Sequence, residues 1–74
     1  MIALGEAIRE ARKARRLTQA QLAQRVGLKP NYCCMVERGS PLSVKRLVDF
    51  AVALGVRASD LVRRAEELEQ ERKT

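Results

Sequence analysis

The most reactive side chains in this sequence are Cys33 and Cys34, and their adjacency limits what they can do. Neighbouring cysteines make a poor structural disulfide and close no useful loop. The chain has no histidine and no second cysteine pair, so it lacks the donor set of a zinc site. The same lack of histidine removes most pairings of a nucleophile with its base, so neither an enzyme, nor a metal, nor a cofactor is expected. The chemistry that remains is recognition. Asn31, Cys34, Met35 and Arg38 recur at i, i+3, i+4 and i+7, which puts them on one edge of any helix that contains them. Cys33 and Val36 fall on the opposite edge and are expected to face inward. An asparagine amide can make two hydrogen bonds to an adenine edge, and a cysteine or methionine can pack on a thymine methyl.

The charge pattern points the same way. The formal net charge is +6. Between Arg9 and Arg46 stand ten lysines and arginines against two glutamates, a local net charge of +8. From Leu47 onward, five basic residues meet six acidic ones, counting Asp49. Positive potential confined to one stretch is what a polyanion-binding surface requires.

The elements that must hold these residues are read from periodicity and punctuation. Helix 1 is expected from about Leu4 to Arg15, with Leu4, Ile8 and Ala11 on its inner face. Helix 2 starts at Thr18, where Gln21 three residues on gives a capping-box spacing. Leu22, Ala23 and Val26 are its buried side, and Gly27 stops it. Helix 3 starts near Pro30, which suits a first turn, and ends at Arg38. A helix, a turn of about three residues and a second helix form a helix-turn-helix outline. Helix 4 is capped by Ser43 and runs to Leu54, with Val44, Leu47, Val48, Ala51 and Leu54 as its expected buried stripe. Helix 5 begins near Ala58 or Ser59 and carries Leu61, Val62, Ala65 and Leu68. Its charged end, from Glu66 to Thr74, is expected to fray. The fold class is therefore all-α, a compact five-helix domain over residues 1–66 with a charged tail at 67–74. No apolar run approaches the length of a membrane span, and the first residues lack the basic region of a signal peptide. A cytoplasmic protein with no membrane partner is expected.

The run TQAQLAQRVGLKPNYCCMVERG from Thr18 to Gly39, continued by SVKRLVDFAVALGV from Ser43, resembles the Cro and phage-repressor (XRE-like) family of helix-turn-helix regulators. That family includes lambdoid repressors, controller proteins of restriction–modification systems and antitoxin repressors. The likeness spans roughly Leu4 to Leu61. It implies a lambda-repressor-like domain whose third helix enters the major groove of duplex DNA. It further implies that Thr18 and Gln19, at the start of helix 2, meet a phosphate. Asn31 matches a base-reading position, and Cys34 and Met35 match further groove-facing positions. Tyr32 matches a position used for phosphate or thymine contact, with packing on helix 2 as its alternative. Arg38, Ser40 and Lys45 fall where the following segment meets the DNA backbone. Glu37 matches a glutamate that pairs with an arginine on helix 1, here Arg12, in a structural role.

This sequence departs from the family pattern at several positions. Pro30 stands where many relatives carry a base-reading Gln or Arg. Met35 replaces a polar or basic reader. Lys29 and Arg57 stand where capping residues are usual, and Lys29 is expected to serve phosphate instead. Direct readout is therefore sparse, and DNA shape is expected to supply part of the selectivity. The expected assembly is a homodimer on an operator, with Val56, Leu61, Val62 and Ala65 as candidates for its surface, some of which must instead be core. The expected role is transcriptional regulation, most readily repression. A protein partner such as a toxin or RNA polymerase, in an antitoxin or adaptor role, is the alternative class.

Overall fold

A computed structural model of the chain describes residues 2–73. It contains α1 (Ile2–Ala14), α2 (Gln19–Val26), α3 (Pro30–Glu37), α4 (Val44–Leu54) and α5 (Ala58–Lys73), with no strand among the described residues. The all-α, five-helix class expected from the sequence is the one observed.

The boundaries follow from local chemistry. Thr18 caps α2 reciprocally with Gln21: the Gln21 amide donates to the Thr18 hydroxyl at 3.0 Å, and the Thr18 amide donates to the Gln21 side chain at 2.8 Å. Gly27 ends α2 at φ 74°, a left-handed conformation that a side chain would strain. Pro30 opens α3 with no side-chain cap from Lys29. Ser43 caps α4 by accepting from the Arg46 amide at 3.1 Å. At Arg57, where a cap was missing from the sequence, the Asp60 carboxylate reaches back and accepts the Arg57 amide at 3.0 Å.

Ile8, Leu22, Cys33, Val36, Phe50 and Leu54 form the fully buried centre. Burying one such large side chain contributes about 1.5–3 kcal/mol, so the loss of any of them matters in a chain this small. Leu4, Ala23, Ala51 and Leu61 complete the cluster. The expected stripe on α4 is corrected in part. Leu47, Ala51 and Leu54 do face inward, but Val44 is 77% exposed and Val48 44%, while Phe50 takes the inner position. The apolar arc of α4 is wide, bounded by the polar side of Lys45, Arg46 and Asp49, so Val44, Val48 and Phe50 could all fall within it. Contact with Tyr32 of α3 accompanies the choice.

Gly5 decides how α1 meets α3. A Cβ there would lie 2.9 Å from the Glu37 carbonyl oxygen, so only a residue without a side chain lets the two helices approach this closely. The expectation that the chain frays from Glu66 is also corrected: α5 remains helical through Lys73, and Thr74 lies outside the described residues. Ion pairs to α1 accompany this. Arg64 donates to Glu10 at 2.8 and 3.1 Å, and Arg72 pairs with Glu6.

Candidate nucleic-acid interface

The site begins with the two faces of α3. Cys33 and Val36 are each 1% exposed and anchor the helix in the core. With that side fixed, Asn31, Met35 and Arg38 stand exposed and Cys34 half-buried on the other side, as the spacing predicts. The Asn31 amide nitrogen lies 3.7 Å from the Met35 sulfur, a weak contact along this edge. Burial pushes the Cys33 thiol up to about 11, with the nearby Glu37 charge adding to the effect.

Tyr32 is half-buried and stacks on Phe50, with ring centroids 6.3 Å apart and planes 7° from parallel. It also packs against the core cluster that holds Leu22 and Ala23 of α2, so the packing alternative has α4 as well as the core for partners. Lys29 is exposed at the start of α3. Ser40 is half-buried just past α3, and its amide donates to the Met35 carbonyl at 3.0 Å. Lys45 is exposed on α4, 3.3 Å from the Asp49 carboxylate one turn on. Thr18 spends its hydroxyl on the capping box.

Glu37 joins α1, α2 and α3. Its carboxylate accepts from Arg12 Nε at 2.6 Å, from Arg12 Nη2 at 3.0 Å and from the Gln19 side-chain amide at 3.2 Å. Arg12 Nη1 donates to the Leu17 carbonyl at 2.7 Å. The Arg12–Glu37 pair, implied by the family likeness, is therefore present and bidentate. Hydrogen bonding to Glu37 raises the Arg12 pKa above its usual value despite partial desolvation. No buried side-chain nitrogen or oxygen among the described residues lacks a partner, so the burial of this pair is compensated. The bond from Gln19 to Glu37 was not foreseen. It commits one N–H of the Gln19 amide and leaves the other, because an amide nitrogen carries two donors.

Above this hub lies a cleft of about 330 Å³ lined by Arg9, Arg12, Gln19, Cys34, Glu37 and Arg38. Arg9 is the member the sequence reading did not single out. Its signal was present as charge on α1, but its place beside α3 depends on the crossing at Gly5.

The residues considered for self-association divide. Leu61 is 3% exposed and belongs to the core, which removes it from any surface. Val56 and Ala65 are partly buried against the core, and Val62 is 41% exposed. Val62 and Ala65 line an apolar groove with Ala3, Leu4 and Leu47, edged by Glu66 and Glu69.

No helix among the described residues is long and apolar enough to cross a membrane. No curated protein matches the chain. Solved structures do. The clp gene regulator ClgR from Corynebacterium glutamicum superposes with a TM-score of 0.87 at 31% identity, over 89% of this chain and 86% of that one. A second structure of ClgR gives a TM-score of 0.88 at 29% identity, over 97% of this chain and 81% of that one. The restriction-modification controller protein C.AhdI from Aeromonas hydrophila gives 0.78 at 34% identity, over 81% of this chain and 92% of that one. The sequence model of the helix-turn-helix family matches residues 8–61, more than half of the chain. With the tight turn at Gly27, the anchored α3 and its outward edge all in place, the chain belongs to the Cro/phage-repressor, XRE-type family of DNA-binding helix-turn-helix regulators.

Proposed function

We propose that this protein is a transcriptional repressor that binds a two-fold symmetric operator as a homodimer, with α3 of each copy in the major groove. Asn31, Cys34 and Met35 read base edges. Thr18, Gln19, Lys29, Tyr32, Arg38, Ser40 and Lys45 position the protein on the sugar–phosphate backbone. The observation that carries this reading is the division of α3: Cys33 and Val36 are locked inside while Asn31, Met35 and Arg38 stand clear of the fold. The concentration of positive charge before Arg46 supports it, as do the gene-regulator and controller names of the similar structures.

Two copies give two half-sites about 34–36 Å apart, one helical turn of DNA. A single module offers little interface for tight specific binding, which favours the dimer. Its surface is proposed at Val62 and Ala65 of the apolar groove, together with Val44 and Val48, which stand exposed on α4; Val56 lines a different hollow, with Ala7 and Ala11 of α1.

The test is selection of bound duplexes from a random pool, followed by footprinting of the selected sequence. A palindromic footprint with one-turn spacing is expected. Asn31→Ala should relax preference at one base position at a cost of about 1–3 kcal/mol, while Lys29→Ala should weaken all sequences alike. A pool that yields no common sequence, or two variants that lose affinity in the same way, would overturn the reading.

A further inference from the structure

We infer that the middle of the outward edge of α3 reads the C5-methyl group of a pyrimidine. Binding then responds to cytosine methylation: at that position 5-methylcytosine is preferred to cytosine. The inference rests on the DNA-binding reading above and names the chemical group that the edge selects.

The first argument is what the edge lacks. Pro30 and Cys34 stand one turn apart, as do Asn31 and Met35. Proline brings no side-chain donor or acceptor, and a thiol or thioether is weak in either role. Met35 is 47% exposed, although the inner side of α3 is already filled by Cys33 and Val36. Glu37 does not read a base, because it is buried and its carboxylate is engaged by Arg12 and Gln19. Asn31 and Arg38 are the polar members of this edge, and an apolar, polarisable stretch lies between them.

The second argument is what the groove offers. Base edges in the major groove present nitrogen and oxygen donors and acceptors, and the C5-methyl of thymine is the apolar exception. A polar base atom pressed against Cys34 and Met35 loses its water and gains no hydrogen bond, which weakens binding. A methyl group in the same place is buried at a gain. The discrimination therefore follows the methyl rather than the base. Thymine and 5-methylcytosine carry it on the same ring carbon, whereas uracil and cytosine have only hydrogen there.

The third argument is how Met35 is held. The Asn31 amide nitrogen lies 3.7 Å from the Met35 sulfur, which lays the thioether along the edge. The Asn31 oxygen and second N–H stay uncommitted among the described residues and are left for a neighbouring base pair. A polar contact and an apolar one thus fall side by side, flanked by the exposed cations Lys29 and Arg38.

The experiment uses the full chain and a duplex it selects from a random pool. Each thymine in turn is replaced by uracil, which removes the methyl and leaves the pairing unchanged. At the responsive position the T·A pair is then replaced by C·G, with and without a 5-methyl on the cytosine. Affinities are measured for wild type, Met35→Ala, Cys34→Ala and, as a control, Lys29→Ala. Uracil at the responsive position is expected to weaken wild type about fourfold, and 5-methylcytosine to bind about fourfold better than cytosine there, the gain from burying one methyl group. Met35→Ala should lose most of this preference with its thermal midpoint unchanged, because Met35 is exposed, and Cys34→Ala should lose part of it. Lys29→Ala should weaken every duplex and keep the preference. A selected site indifferent to uracil at every position, 5-methylcytosine no better than cytosine, or a preference that Met35→Ala keeps in full would overturn the inference while leaving the regulator reading standing. Failure of wild type to bind any duplex would overturn both.

Discussion

Arg12 of α1 meets Glu37 of α3 in a buried pair, whereas Glu6 and Glu10 of the same helix meet Arg72 and Arg64 of α5 in solvent. The buried pair has side chains only 10% and 4% exposed, is bidentate and is shared with Gln19. The pairs toward α5 have side chains 37–48% exposed and extend into a ladder with Glu67, Glu69 and Glu71. Exposed pairs are screened by water and salt and contribute little each. A buried pair fixes geometry, and breaking it strands a charge. Arginine thus does two kinds of work here. On α5 it is neutralised by its own neighbours and closes a seam. On the α1–α3 side one arginine sets the geometry, and Arg9 and Arg38 have no ion pair among the described residues. Net charge alone does not separate these roles; the pairing does.

The largest effect expected from this contrast is at Glu37. Glu37→Ala leaves the Arg12 charge buried without a counter-charge, with only the Leu17 carbonyl still accepting from it, and should cost about 3–5 kcal/mol in urea denaturation. A cost no larger than that of Glu10→Ala would erase the distinction between the two sets of pairs. Next comes the crossing that brings the buried pair together. Gly5→Ala should cost about 1–3 kcal/mol through overpacking against the α3 C-terminus, read as a lowered thermal midpoint. A Gly5→Ala protein of unchanged stability would mean that α1 can slide over α3 freely.

The smallest effect lies in the exposed seam. Arg64 holds the Glu10 carboxyl below its ordinary value of 4.5, chiefly through hydrogen bonding. A lowered carboxyl pKa stabilises the fold fully above the unfolded value and loses that contribution as pH falls through the folded one. Glu10→Gln should therefore melt slightly lower than wild type at neutral pH. The two midpoints should converge in acid below about pH 4.5, and also in high salt. A difference that persists in acid would place the origin of the effect elsewhere.

How much of this was legible depends on whether the signal was local. The Thr18–Gln21 box, the stop at Gly27, the Ser43 cap and the inward Cys33 and Val36 are properties of short stretches, and each was read from the sequence. Asn31, Cys34, Met35 and Arg38 share an edge because helical spacing requires it. The Arg12–Glu37 pair spans distant positions and came through the family likeness. What escaped depends on how helices cross. The apolar arc of α4 is wider than the face it buries, so Val44 and Val48 could be mistaken for core until Phe50 took that place. Leu61 and Val62 are neighbours in sequence, and only packing shows that one is core and the other surface. Gly5 carries no side chain to suggest a role, yet it sets the distance between α1 and α3. The charged end of α5 reads as solvated, because its partners Glu6 and Glu10 lie at the other end of the chain.

The stack of Tyr32 on Phe50 leads to one further consequence. The chain has a single tyrosine and no tryptophan, so its intrinsic fluorescence comes from one ring on α3. That emission reports whether α3 is seated on α4, while circular dichroism reports helix content over the whole chain. Unfolding curves from the two signals that coincide would describe a molecule that melts as one unit. An earlier change in the tyrosine signal would show α3 lifting away before the other helices give way.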